Sequence, residues 1–332
     1  MNKVCIIVPI YNVSKFIERC ARSLFEQTFE DIQYIFVNDC TPDNSIEILE
    51  RVIVDYPDRK EDIKIINHKV NCGIGTTRET GLAYANSEYF LFVDSDDYVD
   101  VNMVELMYNK AIEESADIVI CNMMMTWGRG LMKIAHQHYS PNNIEYTKLL
   151  LSGKTMCGLV NKLIKLTVYQ RDNMFSIANI NMGEDYALSS QLAYYANKIA
   201  KVDLPLYHYV QLNNYSYTKT FSKKSIDDLI CALNVLNEFF TNISDKKIYE
   251  VSLLEGQLNK KILMLTEANP KHRKEIAELF SETNSVLSTV RLTIVERITI
   301  TLANKEMFIC LNVFLCLYHA LIELVQILKG RR

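Results

Sequence analysis

The sequence predicts an α/β fold: a mostly parallel sheet flanked by helices, followed by a helical C-terminal extension. Three observations carry this reading. Through residues 1–100, short apolar runs alternate with segments of helical spacing. Several of those runs are apolar at every position, as strands buried on both faces must be. From about Ser225 the strand signals stop and helical spacing takes over.

The elements follow in order. Val4-Cys5-Ile6-Ile7-Val8-Pro9 reads as the first strand. Tyr11-Asn12 is a turn, and Ser14 can cap a helix running to Gln27 with Phe16, Ile17, Cys20 and Leu24 on one side. Ile32-Gln33-Tyr34-Ile35-Phe36-Val37 is the second strand, leading into a polar loop, 38–45, whose last residues can cap a helix over 46–56. Ile63-Lys64-Ile65-Ile66 is the third strand; Asn71-Cys72-Gly73-Ile74-Gly75 is a glycine loop, with Thr76 as cap of a helix over 77–86. The fourth strand, Tyr89-Phe90-Leu91-Phe92-Val93, runs straight into Asp94-Ser95-Asp96-Asp97. This alternation specifies a sheet with helices on both faces.

Beyond it, a helix over 101–114 and a strand over 117–122 precede an irregular stretch, 123–155, in which Trp127-Gly128-Arg129-Gly130 suggests a loop or short hairpin. Glu184-Asp185-Tyr186 opens a helix with Leu188, Leu192 and Tyr195 at core spacing, and a strand over 200–206 leads to Tyr207-His208-Tyr209. The expected division is a catalytic unit over 1–220 and a helical region over 221–332.

Composition narrows the function classes. Hydrophobic residues are 49% and charged residues 23% of the 332, an ordinary globular balance. The formal net charge of -4 gives no reason to expect nucleic acid as a partner. The 9 cysteines are scattered with no CxxC pair, which suits reduced cytoplasmic thiols rather than a disulfide framework or zinc site. Lys3 leads at once into a strand-like run, unlike a secretory leader.

Three loops follow strand carboxyl ends, where open α/β sheets bind ligands. Asp94, Asp96 and Asp97 are costly to gather unless a cation joins them, and carboxylate oxygens suit Mg²⁺ or Mn²⁺. The competing reading is a polar turn with Asp capping the next helix. Asp39 can accept from a base or ribose, or it can simply cap a turn. Gly73 and Gly75 permit close backbone approach to a ligand. Arg78 can face a diphosphate or a base, or be a solvated helix residue. Glu184 and Asp185 can serve chemistry or only complement a helix dipole.

These stretches resemble family 2 glycosyltransferases of the GT-A fold, the type that builds bacterial capsule, lipopolysaccharide and exopolysaccharide chains. The resemblance rests on Ile7-Val8-Pro9-Ile10-Tyr11-Asn12, Val37-Asn38-Asp39-Cys40-Thr41-Pro42-Asp43-Asn44-Ser45, Asn71-Cys72-Gly73-Ile74-Gly75-Thr76-Thr77-Arg78, Phe92-Val93-Asp94-Ser95-Asp96-Asp97 and Gly183-Glu184-Asp185, in the family's order, over about residues 3–215. It implies that Pro9, Tyr11 and Asn12 lie against the nucleotide and that Asp39 bonds a uracil-type base. Gly73, Arg78, Asp94 and Ser95 join the donor site, with Asp94 near ribose and sugar. Asp96 holds Mn²⁺ or Mg²⁺ on the diphosphate. Asp185 is the base of an inverting reaction, with Glu184 in support. The implied partners are a nucleotide sugar, most readily UDP-linked, and a glycan or lipid-linked acceptor.

Departures from the family pattern are Cys40 and Thr41, where Gly and Ser are usual, and Glu79, where Asn usually follows the Arg. Lys162, in Val160-Asn161-Lys162-Leu163, resembles a motif frequent in polysaccharide-building members; it either reaches a phosphate or has a structural role. His208 is either near the donor or simply packed. Two competing functions are a nucleotidyltransferase, which would carry a basic Gly-rich loop where Pro9-Ile10-Tyr11-Asn12 stands, and an inactive nucleotide- or glycan-binding relic, which would have lost Asp96 or Asp185.

The segment 307–328 is apolar but contains Asn312, His319, Glu323 and Gln326. From 290 to 332, six Lys or Arg against three Glu give +3, leaving -7 on the remainder. An apolar helix with a basic end, 329–332, suits an anionic membrane surface at the inner face of the cell membrane. The alternatives are packing on the chain's own core or on a second copy in a homo-oligomer.

Overall fold

The computed structural model describes residues 2–127, 130–212 and 221–328. Gly128 and Arg129 of the expected turn, and the basic end 329–332, lie outside the described residues. The sheet half comprises β1 (Asn2–Ile10), α1 (Ile17–Phe25), β2 (Ile32–Asn38), α2 (Ser45–Val54), β3 (Ile63–Asn67), α3 (Ile74–Tyr84), β4 (Ser87–Phe92), β5 (Tyr98–Val99), α4 (Met103–Glu114) and β6 (Ile118–Thr126). It continues through β7 (Met132–Ala135), α5 (Asn143–Leu151), β8 (Lys162–Lys165), α6 (Leu166–Tyr169), α7 (Glu184–Tyr195) and β9 (Ile199–Val210). The helical remainder is α8 (Lys223–Asn242), α9 (Glu250–Glu267), α10 (Arg273–Glu278), α11 (Ile294–Asn304) and α12 (Phe308–Leu328).

The strands form one sheet in the order β3-β2-β1-β4-β8-β6-β9-β5, with β7 paired to β6. The β3-β2-β1-β4 half is parallel throughout. Every β1 residue from Val4 to Val8 is fully buried, which requires cover on both faces and explains the unbroken apolar run. Antiparallel β8 then separates β4 from β6. β5 pairs antiparallel with β9, Tyr98 opposite His208 and Val99 opposite Tyr207, which draws the acidic loop beside the Tyr207-His208-Tyr209 stretch.

The stretch expected to be irregular carries more order than its sequence suggested. β6 runs on to Thr126 and pairs with β7 as a hairpin. Asn142 caps α5 by accepting from the Glu145 N–H, and Tyr146, Leu150 and Leu151 are buried beneath it. The caps expected at α1 and α3 are not formed. Ser14 instead donates its N–H to Asp43, and α3 starts at Ile74, so Thr76 lies inside it. At α2, Asp43 rather than Asn44 takes the Ser45 N–H.

The C-terminal helices cover the sheet half around α7. α8 packs on α7, with Ala232 and Leu229 against Gly183, and α9 lies against α5, where Gly256 abuts the Leu151 carbonyl. Capping boxes fix the starts of α8 (Ser222, Ser225) and α11 (Thr293, Glu296). α12 presents Leu311 and Leu315 to the body, while Ile309, Val313, Leu317, Leu321 and Leu324 on its other side are 53–82% exposed.

Candidate active site

The first two loops are locked together by Asp39. Its Oδ1 accepts from the Cys72 N–H at 2.7 Å and pairs with His68 Nδ1 at 2.8 Å, and its Oδ2 accepts from the Gly73 N–H at 2.8 Å. His68 Nε2 reaches Thr80 Oγ1 at 3.0 Å, anchoring the pair on α3. The buried Asp39 is therefore engaged by protein donors. Gly75 has no room for a Cβ, which would strike the carbonyls of Ile177 and Ile180. The closeness expected toward a ligand is thus, at this glycine, an approach to the 177–180 segment.

The turn after β1 is held from the other side. The Asn12 N–H donates to Thr41 Oγ1 at 2.8 Å, and Thr41 Oγ1 donates to Asp43 Oδ1 at 2.7 Å. Thr41 thus supplies the hydroxyl that the family's serine would. Burial alone would raise the Asp43 carboxyl, but donors from Ser45, Thr41 and Ser14 outweigh it and hold it down at about 2. Asn12 and Cys40 each adopt a left-handed φ of 55° in these linked turns, and the Tyr11 ring stays exposed. The departure at Cys40 therefore puts a side chain at a position that favours glycine.

The acidic loop is fastened at both ends. Ser95 Oγ donates to the Pro9 carbonyl at 2.7 Å, joining the loop to the end of β1. Asp97 points inward: it accepts from Tyr207 Oη and from the Val210 N–H, both at 2.6 Å. Asp97 is thus a clamp on β9 rather than the cap of α4. Burial, then the charges of Asp96 and Asp94, push its carboxyl well above the ordinary range. Asp94 and Asp96 remain half-buried. Arg19 donates to the Asp96 carbonyl at 3.3 Å and lies 4.4 Å from the Tyr98 ring centre. Tyr98 in turn stacks on His208 at 4.3 Å, and His208 Nε2 pairs with Asp100 at 2.8 Å, so His208 packs beside the loop.

Gly183, at a φ of 90°, starts α7 and delivers Glu184 and Asp185 to the same crevice. Arg78 bridges the two acidic motifs. Its Nη1 donates to Glu184 Oε1 at 2.6 Å and its Nη2 to Asp94 Oδ1 at 2.9 Å. Arg78 is thus neither solvated nor turned to an open phosphate pocket; it is buried between carboxylates. Burial and the Asp185 charge raise Glu184 to about 7, with the Arg78 guanidinium acting the other way. Asp185 is half-buried; its Oδ1 accepts from the Tyr186 N–H at 2.7 Å, and its Oδ2 lies 3.8 Å from Cys157 Sγ.

The neighbouring departures acquire structural roles. Glu79 accepts from Ser176 Oγ at 2.8 Å and from the Ile177 N–H at 2.6 Å, pinning that segment to α3. Lys162 is buried and directs its ammonium to the carbonyls of Met156 and Gly158 and to Asn161 Oδ1. It steadies the segment that carries Cys157 and does not reach outward to a phosphate. Burial lowers its amine to about 8.

Asp39, Gly73, Arg78, Asp94, Ser95, Asp96, Glu184 and Asp185 thus gather at one side of the sheet, with Pro9, Tyr11 and Asn12 on the adjoining turn. The acids converge: burial, then Asp94, Asp97, Asp96 and Asp185, raise the Tyr209 phenol beyond its ordinary value. This excess of negative charge and the all-oxygen donor set fit a hard divalent cation. Asp97 is turned to Tyr207 and Asp94 Oδ1 is held by Arg78, so neither carboxylate is wholly presented to one. Among the described residues, Asp39, His68 and Cys72 also bring ligand atoms within 4.8 Å of one another. The bonds already on Asp39 account for that grouping without an ion. Sequence reasoning missed Tyr207, Arg19 and His68. The Tyr-His-Tyr stretch was the one available signal for Tyr207; nothing local marks Arg19 or His68.

Comparison with known proteins agrees with this architecture. The family model described as glycosyl transferase family 2 matches residues 5–171. EpsJ of Bacillus subtilis (strain 168), an uncharacterised glycosyltransferase, is 32% identical over 237 residues, 68% of this chain and 65% of its own length. A poly(ribitol-phosphate) β-glucosyltransferase of Bacillus spizizenii is 30% identical over 214 residues, 63% of this chain and 32% of that protein. The chain therefore spans just under two thirds of the first relative and about a third of the second. The crystal structure of S. aureus TarS 1-349 in complex with UDP-GlcNAc superposes with a TM-score of 0.74 at 17% identity, covering 96% of this chain and 92% of that one. The strand order, the loops gathered at one side of the sheet and the extent of the family match lead to one assignment: this chain belongs to glycosyl transferase family 2 and has its GT-A fold.

Proposed function

We propose that the chain transfers a sugar from a UDP-linked donor to a hydroxyl of a glycan or lipid-linked acceptor, with inversion, in the assembly of bacterial cell-surface polysaccharide. The observation that carries the reading is Arg78, which joins Asp94 after β4 to Glu184 at the start of α7. One guanidinium thereby sets the donor-side acid against the helix that bears the candidate base. The catalytic unit is residues 1–220; the helical region 221–332 supports it and contacts a membrane.

In this scheme Tyr11, Asn12 and Asp39 bound the nucleotide, and Ser95 holds the acidic loop on β1. Asp96 is the residue that would hold Mn²⁺ or Mg²⁺, whose chemistry is Lewis-acid neutralisation of charge on a departing diphosphate. Asp185 takes the proton from the attacking hydroxyl. Its Oδ1 is oriented by the Tyr186 N–H and its Oδ2 by the weak Cys157 thiol contact. Attack from the face opposite the leaving group inverts the anomeric centre, by the geometry of single displacement. Glu184 positions Arg78 and keeps charge balance beside Asp94.

The membrane reading is supported by α12. Its stretch Phe308–Val325 has a mean hydropathy of 2.1 and is 11% buried, and it is long and apolar enough to cross a membrane. Two of its polar residues, Asn312 and His319, nevertheless turn toward the body. Asn312 accepts from Arg273 at 2.6 Å, and His319 lies 3.9 Å from Glu267. A helix tied down along one side and apolar on the other lies flat on a surface more readily than it spans. This arrangement supports the reading of an enzyme working at the cytoplasmic face of a membrane.

The test is a screen of UDP- and GDP-sugars with Mn²⁺, following nucleoside diphosphate release. Release from a UDP-sugar that is lost in Asp96→Ala, and acceptor transfer lost in Asp185→Asn, is the expected result. Release from no donor, or normal turnover in either variant, overturns the corresponding assignment.

A further inference from the structure

A cavity of about 740 Å³ opens at the far end of α7 from Glu184 and Asp185. Its wall joins the segment 172–176 to the C-terminal ends of α7 and α8. Phe175, Tyr195 and Phe239 supply rings, with centroids of Phe239 6.0 Å from Phe175 and 5.6 Å from Tyr195. Asp172, Asn173 and Asn242 supply polar groups at its exposed rim. None of those three makes a side-chain hydrogen bond to another described residue, and neither does the Tyr195 hydroxyl. The volume is that of a small-molecule site, and aromatic walls with a few convergent polar groups are how such sites are made. Rings offer flat apolar faces to the C–H faces of a sugar, while amide and carboxylate groups meet its hydroxyls.

The cavity is mechanically continuous with the candidate active site. Gln191 of α7 accepts from the Phe175 N–H at 2.7 Å, and Ser176 is bonded to Glu79, the neighbour of Arg78. At 1.5 Å per residue, Tyr195 lies roughly 15 Å along α7 from Asp185. That is the reach of a few sugar units, on the side of the crevice that carries the candidate base. Asp172 is the charged group of the lining and the neighbouring Arg171, whose charge reaches Tyr195, offsets it, so the cleft has no net positive charge of the kind a phosphate polymer needs.

We infer that this cleft is an accessory binding site for a neutral oligosaccharide, holding acceptor units several positions back from the attacking hydroxyl. The inference rests on the transferase reading, and its test is made separable from it. Saturation-transfer NMR and calorimetry on the full chain use neutral gluco-, galacto- and N-acetylglucosamine oligomers of two to six units as probes. Binding should strengthen with length, survive Asp185→Asn, and weaken at least tenfold in Tyr195→Ala/Asn242→Ala. Asn242→Trp, which fills the cleft from an exposed position, should do the same without disturbing the fold. UDP binding, read by thermal shift, should be unchanged in both cleft variants. Failure of every oligomer to bind the wild type, or binding untouched by Asn242→Trp, overturns the inference even if sugar nucleotides are turned over. Absence of donor turnover with intact, cleft-dependent oligosaccharide binding would instead count against the transferase reading alone.

Discussion

Arg78 and Glu184, 106 positions apart in the chain, meet at 2.6 Å inside the protein, and the same guanidinium reaches Asp94 at 2.9 Å. A buried ion pair is weak evidence of stability in itself, but removing one partner is costly because the other charge is left unpaired. Arg78→Met strands both Glu184 and Asp94, so it should lower unfolding free energy by about 3–5 kcal/mol. Glu184→Gln keeps a neutral acceptor for the guanidinium and should cost less. The double variant should lose less than the sum of the two, a coupling that urea denaturation of the four proteins measures. Additive losses would show that the pair is not energetically linked.

This pair also marks the limit of what the sequence disclosed. β1, β2 and β4 were legible because they are apolar at every position, a signature of strands covered on both faces. Asp39, Asp94, Asp96 and Asp185 were legible because motif order places them at strand and helix ends. Their partners were not: that Arg78 turns to carboxylates, that Asp97 clamps Tyr207, and that His68 braces Asp39 all depend on distant segments meeting. β8 and α5 were missed because short elements carry little periodicity of their own, whereas the β6–β7 hairpin was signalled only by its glycine-bearing turn.

The proton affinity of Glu184 gives a pH signature. Its ordinary value is 4.5, and burial with the Asp185 charge raises it to about 7 in the folded chain. Between those limits the folded state binds more protons than the unfolded one. This group's contribution to stability is therefore full below about 4.5 and is lost as pH rises through 7. Denaturation midpoints taken across that window should fall with rising pH in the wild type. The fall should flatten in Glu184→Gln; an unchanged slope there would assign the effect to another group.

Cys40 holds a left-handed φ of 55° in the loop after β2, a conformation glycine adopts freely. A side chain there costs roughly 1–2 kcal/mol, and the greater unfolded-state freedom of glycine offsets up to about 1 kcal/mol of the relief. Its thiol contributes a weak contact to the Lys69 carbonyl at 3.7 Å. Cys40→Gly should therefore stabilise the chain by about 0.5 kcal/mol, seen as a higher urea midpoint with an unchanged slope. A lower midpoint would mean that the thiol contact outweighs the backbone strain.

The outer stripe of α12 makes a quantitative prediction about membranes. Leu317 and Leu321 are 67% and 59% exposed, so replacing both by Glu removes little internal packing. If the stripe enters a lipid interface, the two leucines together contribute about 3 kcal/mol of transfer free energy, roughly a 100-fold change in partitioning. Wild-type protein should co-float with vesicles rich in anionic phosphatidylglycerol, and less with zwitterionic phosphatidylcholine, since the segment 290–332 carries +3. Leu317→Glu/Leu321→Glu should stay in the soluble fraction while still releasing nucleoside diphosphate from the donor. Sedimentation without lipid separates the remaining case: a dimer that the same variant dissociates, with no flotation of the wild type, would make this face a protein interface and end the membrane reading.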